Sequence, residues 1–262
     1  MHTLLRFRSW VLYLVPALAI AQSPFDGVWR YVPGSDRFPT RPDAYLLQDG
    51  TYHCPTCDPP LEVPADGQDH KIAASCYDTV SVKVVDDRTI QEVDKRSGKT
   101  VGTSRMTVAA DGQTAIIDWT EMCNTKGDVV SAKKSMERVA KGPAGAHAVS
   151  GSWRILKYLD MSENALSITL KLEGNTFYFT DPAGYSFAAK LDGTDAPFKG
   201  DLENIMVSVK RIDQNTIEET DKRDGKVVRT IRFTVRPDGK TMISSGGDQA
   251  KGTAWEFAAE KQ

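Results

Sequence analysis

The feature that most constrains the fold is an internal repeat. Residues 81–113 align without a gap to residues 208–240 at an offset of 127, and 19 of these 33 positions are identical. An earlier match pairs Gly27-Val28-Trp29 with Gly151-Ser152-Trp153 at an offset of 124. Solenoid repeats are only about 20 to 50 residues long, so a repeat of this length indicates a duplicated domain. The sequence therefore predicts two copies of one unit.

The remaining segments set the expected domain boundaries. Residues 1–21 carry two arginines, an apolar run of eleven residues and then Ala19-Ile20-Ala21, which is the order of a secretory signal peptide. The run is shorter than the about 20 residues that a spanning helix needs, so an uncleaved membrane anchor is the less favoured alternative. We expect a signal peptide at 1–21, β-barrel repeats at 22–140 and 150–262, and a Gly-, Ala- and Pro-rich linker at 141–149. The expected location is periplasmic or secreted, with no stable membrane insertion after cleavage.

Both units show the alternation of apolar and polar residues that is typical of strands. It is clearest where Ile231, Phe233 and Val235 alternate with polar neighbours, and Asp224-Gly225 before them predicts a tight hairpin. In the first copy we expect strands at 79–85, 89–94, 101–109, 114–122 and 129–139, and helical turns only in loops such as 160–164. The expected fold is all-β, a tandem duplication of a small antiparallel up-and-down barrel of about eight strands, with a sandwich left open.

A resemblance to a known superfamily follows from the opening Gly-x-Trp of each unit and the meander of hairpins after it. This pattern resembles the lipocalin and fatty-acid-binding superfamily, and the middle block is similar to exported bacterial lipocalin-like (calycin-type) proteins of uncharacterised function. The resemblance implies that Trp29 and Trp153 are structural and plug a closed barrel end. It also implies a basic residue over that Trp, for which Arg138 is the candidate in the first copy, whereas Phe257 matches it in the second.

Two arginines are candidate ligand-binding residues. Arg105 and Arg232 occupy equivalent positions of the repeat, each beside Thr residues on the polar face of a strand. The fatty-acid-binding resemblance implies that a buried Arg of this kind holds the carboxylate of a ligand, for which a planar guanidinium is suited. If that face lies outside the barrel, the two side chains are only solvated.

All four cysteines lie in the first copy. An exported chain with an even number of cysteines most often forms disulfides, and four cysteines allow three connectivities. The predicted pairs are Cys54 with Cys57 and Cys76 with Cys123. The connectivity itself is not fixed by the sequence.

Two other interpretations of the cysteines are weaker. A redox-active pair needs a lowered thiol pKa, usually at a helix N-terminus, but Cys54 and Cys57 lie in a Pro-rich loop. A zinc site could use these cysteines with His53 and His70, but the second half of a tetrahedral site is missing. We therefore predict no metal and no cofactor.

Catalytic constellations are scarce. No nucleophile elbow and no phosphate-binding Gly-rich loop occurs in the sequence. Adjacent carboxylates such as Glu218-Glu219 point to opposite faces of a strand, and we interpret them as solvated. No catalytic residue and no enzymatic activity is predicted.

Binding is the function that the sequence favours. A formal net charge of −2, from 33 basic and 35 acidic residues, excludes a strongly cationic nucleic-acid binder. We expect an exported protein that holds a small apolar or fatty-acid-like ligand in one or both barrels, each with a void of several hundred Å³. The alternative is a structural or interaction module with filled barrels, which presents loops at 38–45, 54–64 and 160–164 to an unidentified protein partner.

Overall fold

The structure is a computed structural model that describes residues 23–38, 41–248 and 252–262. The predicted signal peptide at 1–21 lies outside the described residues. The described part of the chain forms twenty strands and one short 3-10 helix, Glu163–Ala165. The predicted all-β class is confirmed, and the one helical element falls beside the loop where a helical turn was expected. No helix in these three ranges is long and apolar enough to cross a bilayer.

The twenty strands follow the repeat. Those of the first half of the chain are β1 (Gly27–Tyr31), β2 (Asp43–Gln48), β3 (Thr51–Cys54), β4 (Leu61–Pro64), β5 (His70–Lys71), β6 (Thr79–Asp86), β7 (Thr89–Arg96), β8 (Lys99–Val108), β9 (Thr114–Glu121) and β10 (Val130–Lys141). Those of the second half are β11 (Gly151–Met161), β12 (Ser167–Glu173), β13 (Thr176–Thr180), β14 (Ser186–Lys190), β15 (Ala196–Pro197), β16 (Met206–Arg211), β17 (Thr216–Arg223), β18 (Lys226–Val235), β19 (Thr241–Gly247) and β20 (Trp255–Lys261).

The strands form two antiparallel, nearly closed sheets of ten strands each. Barrel 1 has the order β4-β3-β2-β11-β10-β9-β8-β7-β6-β5, and barrel 2 has the order β14-β13-β12-β1-β20-β19-β18-β17-β16-β15. Each contains two strands more than the expected eight. One cause is that β5 and β15 have only two residues each, which is too short for an alternating pattern to be recognised.

The first strand of each repeat belongs to the barrel that the other repeat forms. β1 pairs with β12 and β20, both in the second repeat, whereas β11 pairs with β2 and β10 of the first repeat. The sequence repeats at 22–140 and 150–262 therefore differ from the units that the sheets form. Barrel 1 is built from the continuous stretch 43–161, and barrel 2 from 167–261 together with 27–31.

In each barrel the backbone just after one edge strand, β4 or β14, contacts the strand next to the opposite edge, β6 or β16. In barrel 1 the backbone N–H of Gly67 donates to the carbonyl of Val82 at 2.8 Å. In barrel 2 the N–H of Gly193 donates to the carbonyl of Val209 at 3.0 Å. Both glycines have a φ near +80°, at +76° and +83°, which a side chain rarely allows. These contacts protect the edges that an open sheet would leave unpaired.

A basic side chain covers the first-strand tryptophan of both barrels. The guanidinium of Arg138 lies 4.0 Å from the centre of the Trp153 ring, and the ammonium of Lys261 lies 4.8 Å from that of Trp29. The expected match of Phe257 to Arg138 is corrected, because pairing along the last strand puts Lys261 at that position. Arg138 covers the tryptophan of the second repeat rather than its own because β1 and β11 are exchanged.

The four cysteines form two pairs at disulfide distance, which is the predicted pairing. The Cα atoms of Cys54 and Cys57 are 5.4 Å apart, and those of Cys76 and Cys123 are 5.7 Å apart. Paired in this way, the cysteines are not thiolate ligands for zinc. Among the described residues no group of His, Cys, Asp and Glu has the arrangement of a metal site.

Candidate functional site

Three cavities bear on function, and they differ in size. The core cavity of barrel 1, beside Glu92, holds only about 100 Å³. The joint cavity lies where the two barrels meet and holds about 440 Å³. The mouth cavity, of about 530 Å³, extends from the interior of barrel 2 to residues of barrel 1. Ligand sites have volumes of roughly 300 to 1,000 Å³, so of these three the joint and mouth cavities are large enough.

The joint cavity has a mostly apolar wall that both barrels supply. Barrel 1 contributes Ile155 and Tyr158, and barrel 2 contributes Trp255 and Phe257. The rings of Trp255 and Phe257 stack with their centres 5.2 Å apart, and Phe38 contacts Tyr158 edge to face at 5.8 Å. The cavity therefore requires both barrels, and neither barrel alone encloses it.

One cation in this wall has no partner. Lys134 follows the inward alternation of Ala132 and Met136 on β10, and it lines the joint cavity. Its ammonium makes no hydrogen bond or ion pair with any described residue, whereas the ammonium of Lys133, on the opposite face, contacts Asp118 at 3.1 Å. Burial lowers the pKa of Lys134, and Asp43 across the cavity opposes that effect. An unpaired ammonium in an apolar cavity attracts an anionic group.

The segments that cross between the barrels supply further polar groups. The hydroxyl of Tyr31 donates to Asp36, and burial raises the pKa of both groups. Two of the loops that were expected to protrude, 38–45 and 160–164, instead contribute Phe38, Asp43 and Met161 to the cavity wall. These loops therefore connect the barrels and line a cavity between them.

The mouth cavity has an aromatic wall. Tyr185 and Phe198 stack with ring centres 5.6 Å apart, and Phe179, Phe233 and Trp255 also face the cavity. Trp255 and Phe257 separate this cavity from the joint cavity, because both residues line both. The two cavities are therefore neighbours.

Carboxyl groups lie deep in barrel 2. Glu219 and Asp221 are 3% and 2% exposed, because they share the inward face of β17 with Ile217. Asp221 accepts a hydrogen bond from the Arg229 Nε at 2.8 Å, whereas the Oε2 of Glu219 has no hydrogen-bond partner. Burial, with Asp221 beside it, raises the pKa of Glu219 well above its ordinary value. The interpretation of Glu219 as solvated is therefore wrong, although Glu218 does face outward and pairs with Arg232.

Barrel 1 has the same carboxyl pair without its cation. Glu92 and Asp94 are equivalent to Glu219 and Asp221, but Gly102 stands where barrel 2 has Arg229. Burial, and secondarily Asp94, raises the pKa of Glu92 to about 8. Burial, and secondarily the Glu121 carboxylate on β9, raises the pKa of Asp94 to about 6. Burial of these carboxyls lowers the stability of barrel 1, whereas in barrel 2 the guanidinium of Arg229 offsets part of the same effect.

The two arginines singled out in the sequence lie outside the barrels. Arg105 is exposed beside the buried Met106, and the Arg232 side chain is 60% exposed and bonded to Glu218 at 2.8 Å. Neither lines the joint, mouth or core cavity. The expectation that they hold a ligand inside a barrel is corrected, because strand alternation turns them to the outer face.

The residues that matter most were missed in the sequence. Lys134 is next to an ordinary surface lysine, and its inward direction depends on the register of β10. Glu219 could have been found from Ile217 and Asp221, which flank it at two-residue spacing on one face. Trp29 and Trp153, in contrast, are fully buried, as expected of structural residues.

The fold defines the chain as a tandem β-barrel protein with a strand exchanged between its repeats. Comparison with known proteins adds no family to this description: no family model, no curated protein and no solved structure matches the chain.

Proposed function

We propose that the protein is an exported binding protein that holds a small, largely apolar molecule with an anionic group in the joint cavity. The observation that carries the proposal is the unpaired ammonium of Lys134 in the wall of a 440 Å³ apolar cavity. The apolar wall takes the hydrocarbon part of the ligand, and the ammonium takes a carboxylate. This is the fatty-acid-like ligand class expected from the sequence, placed between the barrels rather than inside one. No catalysis is part of the proposal.

Two further features support an exported carrier. A basic side chain over a first-strand tryptophan occurs in both barrels and supports the lipocalin-like resemblance. Disulfides persist in oxidising compartments, and two cysteine pairs at disulfide distance support a periplasmic or secreted location.

The test is calorimetric titration of the purified chain with decanoate, decanol and decyltrimethylammonium. We expect decanoate to bind most tightly of the three. Replacing Lys134 by methionine should weaken decanoate binding by about tenfold or more, because a hydrogen bond to a charged group contributes about 1.5 to 3 kcal/mol. The matched control is Lys133→Met, on the outer face of the same strand, which should leave the affinity unchanged. Equal affinities for decanoate and decyltrimethylammonium, or equal losses in the two variants, would contradict the proposal.

One observation favours the structural alternative for part of the molecule. Barrel 1 is nearly filled, since its core cavity holds only about 100 Å³. If none of the three amphiphiles binds, the carrier function proposed for the joint cavity is excluded.

A further inference from the structure

A second ligand site with the opposite charge preference lies beside the first. From the geometry of the mouth cavity we infer that it binds an organic ammonium cation with an aromatic or alkyl body. The inference goes beyond the proposed function, because it concerns a different cavity, different residues and a ligand of opposite charge.

The charge balance of the cavity is the first step. Six carboxyl residues line it (Asp58, Glu121, Asp181, Asp201, Glu203 and Glu219), and Arg229 is the one basic residue in that lining. The charge of Arg229 is already balanced by its hydrogen bonds to Asp221. Glu203 is paired with Arg223. The lining of the cavity is therefore rich in carboxyl groups, and its guanidinium is already paired.

One of these carboxyls points to a missing cation. The Oε2 of Glu219 is buried without a hydrogen-bond partner, although Glu219 lines the cavity and is only 3% exposed. Glu121, which barrel 1 contributes, is exposed to solvent at the end of β9 and makes no side-chain hydrogen bond or ion pair with any described residue. A buried polar group without a partner is costly, and a bound ammonium would give Glu219 one.

Aromatic rings supply the rest of the recognition. Tyr77, Tyr185, Phe198 and Trp255 line the same cavity. The faces of such rings attract ammonium groups, and cages of this kind recognise alkylated amines. The same rings remove the apolar body of the ligand from water. A metal ion would make no use of these rings, and an anion would be repelled by the carboxyls.

The cavity volume fits an organic molecule of this kind. About 530 Å³ is within the range of small-molecule sites. Three lining residues come from the region of the Cys76–Cys123 disulfide of barrel 1, so the site is closed by both barrels. A ligand held there contacts both barrels, through Glu219 in barrel 2 and through Tyr77 and Glu121 in barrel 1.

The experiment uses three probes that share one aromatic body: phenethylammonium, phenethyl alcohol and hydrocinnamate. Calorimetric titration of the full chain should show phenethylammonium binding, and hydrocinnamate binding about tenfold more weakly or not at all, a difference of about 1.4 kcal/mol. Glu219→Gln and Glu121→Gln should each weaken phenethylammonium binding by about tenfold, again about 1.4 kcal/mol. Glu218→Gln, on the outer face of the same strand as Glu219, is the matched control and should leave it unchanged.

Three results would overturn the inference: no binding of phenethylammonium, equal binding of hydrocinnamate, or an unchanged affinity in both glutamine variants. If Glu219→Gln does not fold, Glu121→Gln decides alone, because Glu121 is not part of the buried core. The Lys134→Met variant separates this site from the joint cavity. It should lose decanoate binding and keep phenethylammonium binding, so one proposal can fail while the other stands.

Discussion

Replacing Glu92 by glutamine should stabilise the protein, and more so as the pH rises. The folded state holds the pKa of Glu92 at about 8, against an ordinary value of 4.5. Between these values the unfolded chain loses the proton while the folded chain keeps it, so rising pH favours unfolding. The difference of about 3.5 pKa units corresponds to an upper limit of about 5 kcal/mol at 1.36 kcal/mol per unit. Because part of Glu92 faces the core cavity, where water can screen it, we expect a gain of between about 2 and 5 kcal/mol.

The assay is urea denaturation followed by tryptophan fluorescence, at about pH 5 and about pH 8. The original chain should lose stability between the two conditions, since Asp94, Glu121 and Glu219 also have raised pKa values and act in the same direction. The Glu92→Gln variant should lose markedly less. Glu62→Gln in the same barrel is the control, because the Glu62 side chain is 77% exposed. An original chain that is equally stable at both pH values, or equal behaviour of the two variants, would refute the reasoning.

Two further predictions concern stability. Replacing Cys76 and Cys123 by alanine should lower the free energy of unfolding by about 4 kcal/mol, because their link closes a 47-residue separation. Removing the Cys54–Cys57 link, with a separation of three residues, should lower it by about 2 kcal/mol. A larger loss from the second pair in urea denaturation would contradict this account. Replacing Arg229 by methionine leaves Asp221 buried without its cation and should cost about 3 kcal/mol at neutral pH. Arg232→Met is the control, because the Arg232 side chain is 60% exposed on the same strand, and an equal loss in the two variants would contradict the pairing.

Local sequence patterns predicted five strands of the first repeat, β6 to β10, and the cysteine pairs. The predicted strand at 114–122 is observed as Thr114–Glu121, and that at 89–94 as Thr89–Arg96. Such strands are specified by alternation and by turn residues within a few positions of one another. The repeat itself could be recognised from identity alone.

The strand exchange could not be predicted for a physical reason. Both Gly27-Val28-Trp29 and Gly151-Ser152-Trp153 offer a glycine and a buried tryptophan at the same spacing, so the sequence pattern does not indicate which strand enters which barrel. The cavity residues depend on the same information, because Lys134 and Tyr31 meet only once the exchange has been made.

Because of the strand exchange, the two barrels can complete their folding at different times. Every strand of barrel 1 lies between residues 43 and 161, so this barrel can close as soon as that stretch has emerged. Barrel 2 needs both β1 and β20, which are the first and the last of the described strands. Chains fold from the N-terminal side as they are synthesised or exported, so β1 must wait unpaired until β12 has been made, and its second partner β20 follows more than two hundred residues after it. While it is unpaired, β1 is at risk of pairing with a strand of another chain, and the completion of barrel 2 is the last step of assembly.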